Sequence, residues 1–162
     1  MKNLIKIFFL LAGFTISNAQ QTKVPSVKYE ELEKRIQQEQ EGDKLVVVNF
    51  WSTTCAPCVK ELPHFMEVNK VYAGSIKMIL VSLDRLADKE KVIKFIKNKK
   101  LTVEVILLDD IKRMNTWIPR FEKNWDGNIP VTLFYRNEDK VYFNDGEMGK
   151  KELENVIVTN LL

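Results

Sequence analysis

The stretch Leu45-Val46-Val47-Val48-Asn49-Phe50-Trp51 is followed, after Ser52-Thr53-Thr54, by Cys55-Ala56-Pro57-Cys58. Its β-branched and aromatic residues run on with no polar alternation, the pattern of a strand buried on both faces. Ser52 to Ala56 then turns the chain into a helix. Pro57 is tolerated in the first turn because the N–H it lacks has no intrahelical partner there. Two sulfurs are thus delivered by a buried strand to the start of a helix.

A thiolate, not a thiol, attacks a disulfide. At a helix N-terminus Cys55 faces unsatisfied N–H groups and the positive end of the dipole, both of which favour S⁻. Cys58, one turn further on, is expected to be more buried and to attack the mixed disulfide that forms on Cys55. These are the only two cysteines in the chain. A bond between them closes a tiny ring, removes little entropy from the unfolded chain and is a poor staple, so chemistry explains it better. The other reading of C-x-x-C is half a zinc site. Zinc needs about four ligands, whereas beyond these thiols there is one histidine, His64, and no second C-x-x-C. No metal and no separate cofactor are expected.

A chain of 162 residues is long enough for one well-packed domain. Lys2 and Lys6, the apolar Ile7 to Phe14 and the small residues Ser17-Asn18-Ala19 follow the order of a secretory signal. Residues 1–19 are therefore read as a signal peptide cleaved near Ala19, with an uncleaved anchor as the alternative. Phe14 stands where a lipoprotein needs its acylated cysteine. Outside the cytosol two adjacent thiols meet oxidant and cycle between dithiol and disulfide. From residue 20 onward, 23 basic side chains face 22 acidic ones. That balance asks for neither nucleic acid nor an anionic membrane surface.

Gln20 to Val27 is polar, contains Pro25 and lacks periodicity, and reads as a flexible lead-in to a domain over 28–162. Tyr29, Leu32 and Ile36 have helical spacing up to about Gly42. Pro63 is expected to kink the helix after Cys58. Ile76 to Leu83 and Val103 to Leu108 are strands, separated by a helix from Asp88 with Val92, Phe95 and Ile96 facing inward. Asp110 to Asn124 is mixed helix and loop anchored by Trp117 and Phe121. Ile129 to Tyr135 and Lys140 to Asn144 form a hairpin around Asn137-Glu138-Asp139. An amphipathic helix over Lys150 to Leu161 closes the chain. The order describes an α/β sandwich around a mixed sheet.

Phe50-Trp51-Ser52-Thr53-Thr54-Cys55-Ala56-Pro57-Cys58-Val59-Lys60-Glu61-Leu62-Pro63, with Ile129-Pro130-Val131-Thr132 downstream, resembles the thioredoxin superfamily. Within it the chain is similar to TlpA/ResA-like exported thiol–disulfide oxidoreductases. The resemblance implies a thioredoxin-like three-layer sandwich with an inserted helix–strand unit between Asp84 and Leu108. It implies that Cys55 is the exposed nucleophile, that Cys58 resolves, and that Pro130 is a cis proline beside the disulfide. Ile129 then holds its backbone ready for an extended substrate segment; an ordinary trans proline opening an edge strand is the alternative.

Glu61 matches the acidic residue near the sulfurs of ResA-like proteins. Buried there, it can carry the proton of Cys58; on an exposed helix face it is an ordinary surface residue. Asn49 stands where thioredoxins carry a buried Asp and cannot titrate. Trp51 is read as packing beside the site or shielding the disulfide, and with Ile129, Pro130 and Thr54 it is a candidate to meet the substrate. Thr54 replaces the Trp common in the family and opens the approach to Cys55. His64 is read as structural. Ala56-Pro57 offers neither a side-chain cation nor a side-chain donor to S⁻, so a couple nearer the reducing end is expected.

The expected activity is reduction or exchange of protein disulfides. The resemblance implies exported proteins with disulfides or thiols as partners, apocytochrome c among them, and a membrane or periplasmic thiol as electron donor. A monomer in the periplasm is expected. Two other classes make different demands on the sequence. A peroxiredoxin-like enzyme needs P-x-x-x-T-x-x-C, but Val48 and Ser52 occupy the Pro and Thr positions. A non-catalytic binding module requires a buried, barely reducible bond.

Overall fold

The computed structural model describes residues 23–161. The proposed signal segment 1–19 and the first residues of the lead-in lie outside them. In chain order the elements are β1 (Ser26–Val27), α1 (Tyr29–Gln40), β2 (Leu45–Trp51), α2 (Ala56–Tyr72) and β3 (Ile76–Ser82). They continue with α3 (Lys89–Lys99), β4 (Glu104–Leu108), α4 (Met114–Phe121), β5 (Val131–Arg136), β6 (Asp139–Asp145) and α5 (Lys150–Leu161).

The strands form one sheet in the order β1-β4-β3-β2-β5-β6. β1 to β4 run parallel, and β5 and β6 run antiparallel to their neighbours. β2 lies inside the sheet, and all seven of its residues are buried. The pleat divides it. Leu45, Val47 and Trp51 join a core with Leu62 and Phe65 of α2, Val92 of α3 and Leu153 of α5. Val46, Val48 and Phe50 join a second core with Leu32 of α1 and with Trp117 and Phe121 of α4. The fold is therefore a three-layer α/β sandwich, and the α3–β4 unit enters the sheet between β1 and β3.

Two expectations are corrected. The lead-in is not flexible to its end: Ser26 and Val27 pair with Leu107 and Leu108, and Val24 is buried in the first core. Polar residues and Pro25 hid a two-residue strand too short for periodicity. The hairpin turn is Asn137-Glu138, both at positive φ (49° and 71°), with Asp139 already paired to Arg136. Two left-handed residues make a two-residue connection that matches strand twist. Separately from these, α2 contains Pro63 and α4 contains Pro119 within their helical spans.

Burying a valine side chain contributes about 1.5–3 kcal/mol, and a domain of this size melts about 2–4 °C lower for each kcal/mol lost. A chain beginning at Lys28 should therefore melt several degrees below one beginning at Lys23, as read by thermal circular dichroism. Equal midpoints would remove β1 from the folded unit.

Candidate active site

The parallel strands deliver their carboxyl ends to one edge of the sheet, where α2 also begins. Cys55 is the N-cap of α2, in extended conformation, and its Sγ accepts the backbone N–H of Cys58 at 3.3 Å. Oxygen-bearing side chains normally fill this position because they satisfy a donor the helix leaves open; here a sulfur does so. Cys55 and Cys58 form a disulfide, with Cα atoms 5.3 Å apart. Their exposure differs. Cys55 is half-buried between exposed Thr54 and Ala56, while Cys58 is fully buried in the first core.

The Ile129–Pro130 peptide is cis, and the Ile129 carbonyl oxygen lies 3.7 Å from Cys55 Sγ. Pro130 is buried and Ile129 half-buried. Trp51 is fully buried and packs on Phe95, ring centroids 5.3 Å apart. It offers no surface to a substrate, so its place among the substrate-binding candidates is corrected to the core. Half-buried His64 lies two turns beyond Cys58 on α2 and contributes nothing to this loop.

Glu61 is wholly buried. Its Oε1 accepts from Asn49 Nδ2 at 2.8 Å and its Oε2 from the Met148 backbone N–H at 2.8 Å. Asn49 Nδ2 also donates to Thr132 Oγ1 at 3.0 Å, from the residue directly opposite on β5. Burial pushes the Glu61 carboxyl up to about 7, against the lowering effect of the Met148 and Asn49 donors, with Glu147 adding a small push upward. Asn49 Oδ1 is buried without a partner. A half-turn of that amide presents this oxygen to a protonated Glu61, so both protonation states can be hydrogen-bonded.

A further acid holds the loop before Cys55. Asp84, two residues past β3, accepts the Thr53 backbone N–H at 3.0 Å and the Thr53 hydroxyl at 2.6 Å. Ser52 and Thr54 hydroxyls are 3.2 Å apart across the same loop.

A protein-family model, described as AhpC/TSA family, matches residues 18–143. The chain belongs to the AhpC/TSA family. It is 32% identical over 117 residues to sporulation thiol-disulfide oxidoreductase A of Bacillus subtilis, covering 65% of this chain and 70% of that one. It is 28% identical over 122 residues to the thiol-disulfide oxidoreductase ResA of Bacillus cereus, covering 75% of this chain and 66% of that one. Among solved structures, the crystal structure of a putative thiol:disulfide interchange protein DsbE from Chlorobium tepidum superposes with a TM-score of 0.62 at 21% identity. It covers 77% of this chain and 85% of that one.

Within the AhpC/TSA fold this chain gathers Cys55, Cys58, Glu61, Ile129, Pro130 and Thr54 at one end of the sheet, Thr54 on the exposed rim. The sequence reading passed over Asp84, Thr132 and the Met148 N–H. For Asp84 a signal existed: an acid directly after an apolar strand that runs parallel to the one leading into Cys55. The Met148 amide had none, because a backbone donor carries no residue type.

A folded carboxyl raised from about 4.5 to about 7 holds its proton where the unfolded chain has lost it. The folded state then binds more protons across that window, and stability falls as pH rises through it, by about 3 kcal/mol in all. Urea unfolding of the oxidised protein from pH 4.5 to 8 should show this fall. Glu61→Gln, which the Asn49 half-turn accommodates, should flatten it. Parallel curves would place Glu61 in contact with solvent.

Proposed function

We propose that this protein, a thiol–disulfide oxidoreductase of the ResA type, is exported and reduces or exchanges disulfides of other exported proteins. The observation that carries this reading is half-buried Cys55 at the N-terminus of α2, bonded to a fully buried Cys58. In the reduced protein the Cys55 thiolate attacks one sulfur of a substrate disulfide, forming a mixed disulfide and expelling a substrate thiolate. Cys58 loses its proton and attacks Cys55 Sγ. The second substrate sulfur leaves, two electrons have passed to the substrate, and the Cys55–Cys58 bond is restored. A thiol donor outside the cytosol then reduces it again.

Glu61, one turn from Cys58 on α2 and with a carboxyl at about 7, is positioned to take that proton near neutral pH. Ile129 lends its backbone to the substrate segment beside Pro130, and Thr54 leaves the approach open. Export is supported by the charge, apolar core and small residues of 1–19. Exported proteins that need free thiols, apocytochromes among them, are the substrate class, and the protein acts as a monomer.

Half-buried Cys55, set among exposed Thr54, Ala56 and Pro57, argues against a non-catalytic module. The peroxide reading requires a proline at Val48, which lies in mid-strand between Ile79 and Leu133, where a proline removes a ladder hydrogen bond.

Cys55→Ser should lower insulin-disulfide reduction at least about a hundredfold, since the remaining thiol, Cys58, is fully buried and out of a substrate's reach. Cys58→Ser should accumulate a mixed disulfide on Cys55 that mass spectrometry detects. Unchanged turnover in Cys55→Ser would remove the reading, and rapid peroxide consumption dependent on Cys55 would favour the alternative.

A further inference from the structure

β2 and β3 end side by side, with Trp51 opposite Ser82, so the residues that follow each strand share one edge of the sheet. There Asp84 turns its carboxyl to the loop that leads to Cys55. Thr53 donates to it twice, from backbone N–H and hydroxyl, and Ser82 donates its hydroxyl at 2.7 Å. Asp84 is 8% exposed. A carboxylate so buried usually meets a cation as well as hydrogen-bond donors. Arg85, Asp88 and Lys91 line the same depression of about 260 Å³. Both cations are nevertheless turned to Asp88, Arg85 at 3.0 Å and Lys91 at 2.6 Å. Among the described residues no cation is paired with Asp84. The loop before the sulfur pair is thus held by a charge that hydrogen bonds satisfy and no ion neutralises.

We infer that Asp84 is a positioning residue for the sulfur pair, pinning the loop before Cys55 and biasing Cys55 away from the thiolate through its uncompensated charge. The inference rests on the oxidoreductase reading. The open N–H groups at the start of α2 favour the Cys55 thiolate, and the Asp84 charge opposes them. Partial burial leaves that opposition less screened by solvent and salt than a surface pair. A less stable thiolate is a less stable reduced form, so the couple is held toward the reducing side. Ala56-Pro57 supplies no side-chain cation or donor that works the other way.

The test uses Asp84→Asn, which keeps an acceptor for Thr53 and drops the charge. Reduced protein is alkylated with iodoacetamide as a function of pH, and the dithiol is equilibrated with oxidised glutathione. Below the Cys55 midpoint, the variant should hold roughly threefold to tenfold more thiolate than the wild type. Above that midpoint, its glutathione equilibrium should move toward the dithiol by a similar factor. Thr53→Val removes a hydroxyl from the pin but keeps the charge, and should leave the titration near that of the wild type. An unchanged titration and equilibrium in folded Asp84→Asn overturn the inference, as does an equal shift in Thr53→Val.

Should Asp84→Asn fail to fold, the Asp84 carboxyl ¹³C resonance of the reduced wild type decides. An inflection at the Cys55 midpoint supports the charge coupling, and a flat response overturns it. Loss of the oxidoreductase reading would appear separately, as turnover that survives Cys55→Ser.

Discussion

A sulfur acting as a helix N-cap is the contact on which the rest of this molecule depends. For Cys55 to receive the Cys58 N–H, the strand before it must stop at the sheet edge and the helix after it must start within a few residues. β2 meets the first demand by being buried over its whole length and paired on both sides. Pro57 helps meet the second, because a fixed φ suits the first turn of a helix. The same arrangement separates the two sulfurs. The cap position lies at the rim, and a residue three positions on faces back into the core, which is why Cys55 is half-exposed and Cys58 is not.

The alternation of β2 determines what surrounds the pair. Leu45, Val47 and Trp51 face the α2 side, and Asn49 shares that face, so the polar side chain of the strand meets Glu61 from the helix. Thr132 joins them because β5 is antiparallel to β2 with Asn49 opposite Thr132. Residues far apart in the chain, including the Met148 amide, thus converge on one carboxylate. A buried ionisable group needs such a shell, since one without partners costs several kcal/mol.

Long apolar strands, the C-x-x-C helix start and the amphipathic terminal helix are legible in the sequence because each carries a local pattern: an unbroken apolar run, a proline in the first turn, and helical spacing. Cys55 and Cys58 are legible because residue type and spacing together restrict their surroundings, whereas the place of Pro130 beside them is implied by the family resemblance alone. β1 is not legible, because two residues between polar neighbours have no period and gain their order from the edge of β4. Trp51 was misassigned to the substrate surface, since nothing in a lone aromatic beside a motif tells which face of the strand it occupies. Glu61 was left between buried and exposed. Three to four residues per turn put it one turn from Cys58, but which elements cover that face depends on the packing of α5 and the loop before it. Asp84 escaped because its importance lies in parallel register rather than in sequence distance.

Two buried acids therefore bear on one sulfur pair, and their partners suit them to different work. Glu61 accepts from an amide that can turn and from a backbone N–H, beside an oxygen, Asn49 Oδ1, that has no partner while the carboxyl is ionised. That shell can be satisfied with or without a proton, as a group that passes protons requires. Asp84 meets two hydroxyl donors and a backbone N–H, all directed at its oxygens. Such a shell fixes the loop that leads to Cys55. On the proposed mechanism Glu61 follows the proton that leaves Cys58, while Asp84 holds the loop from which Cys55 reacts.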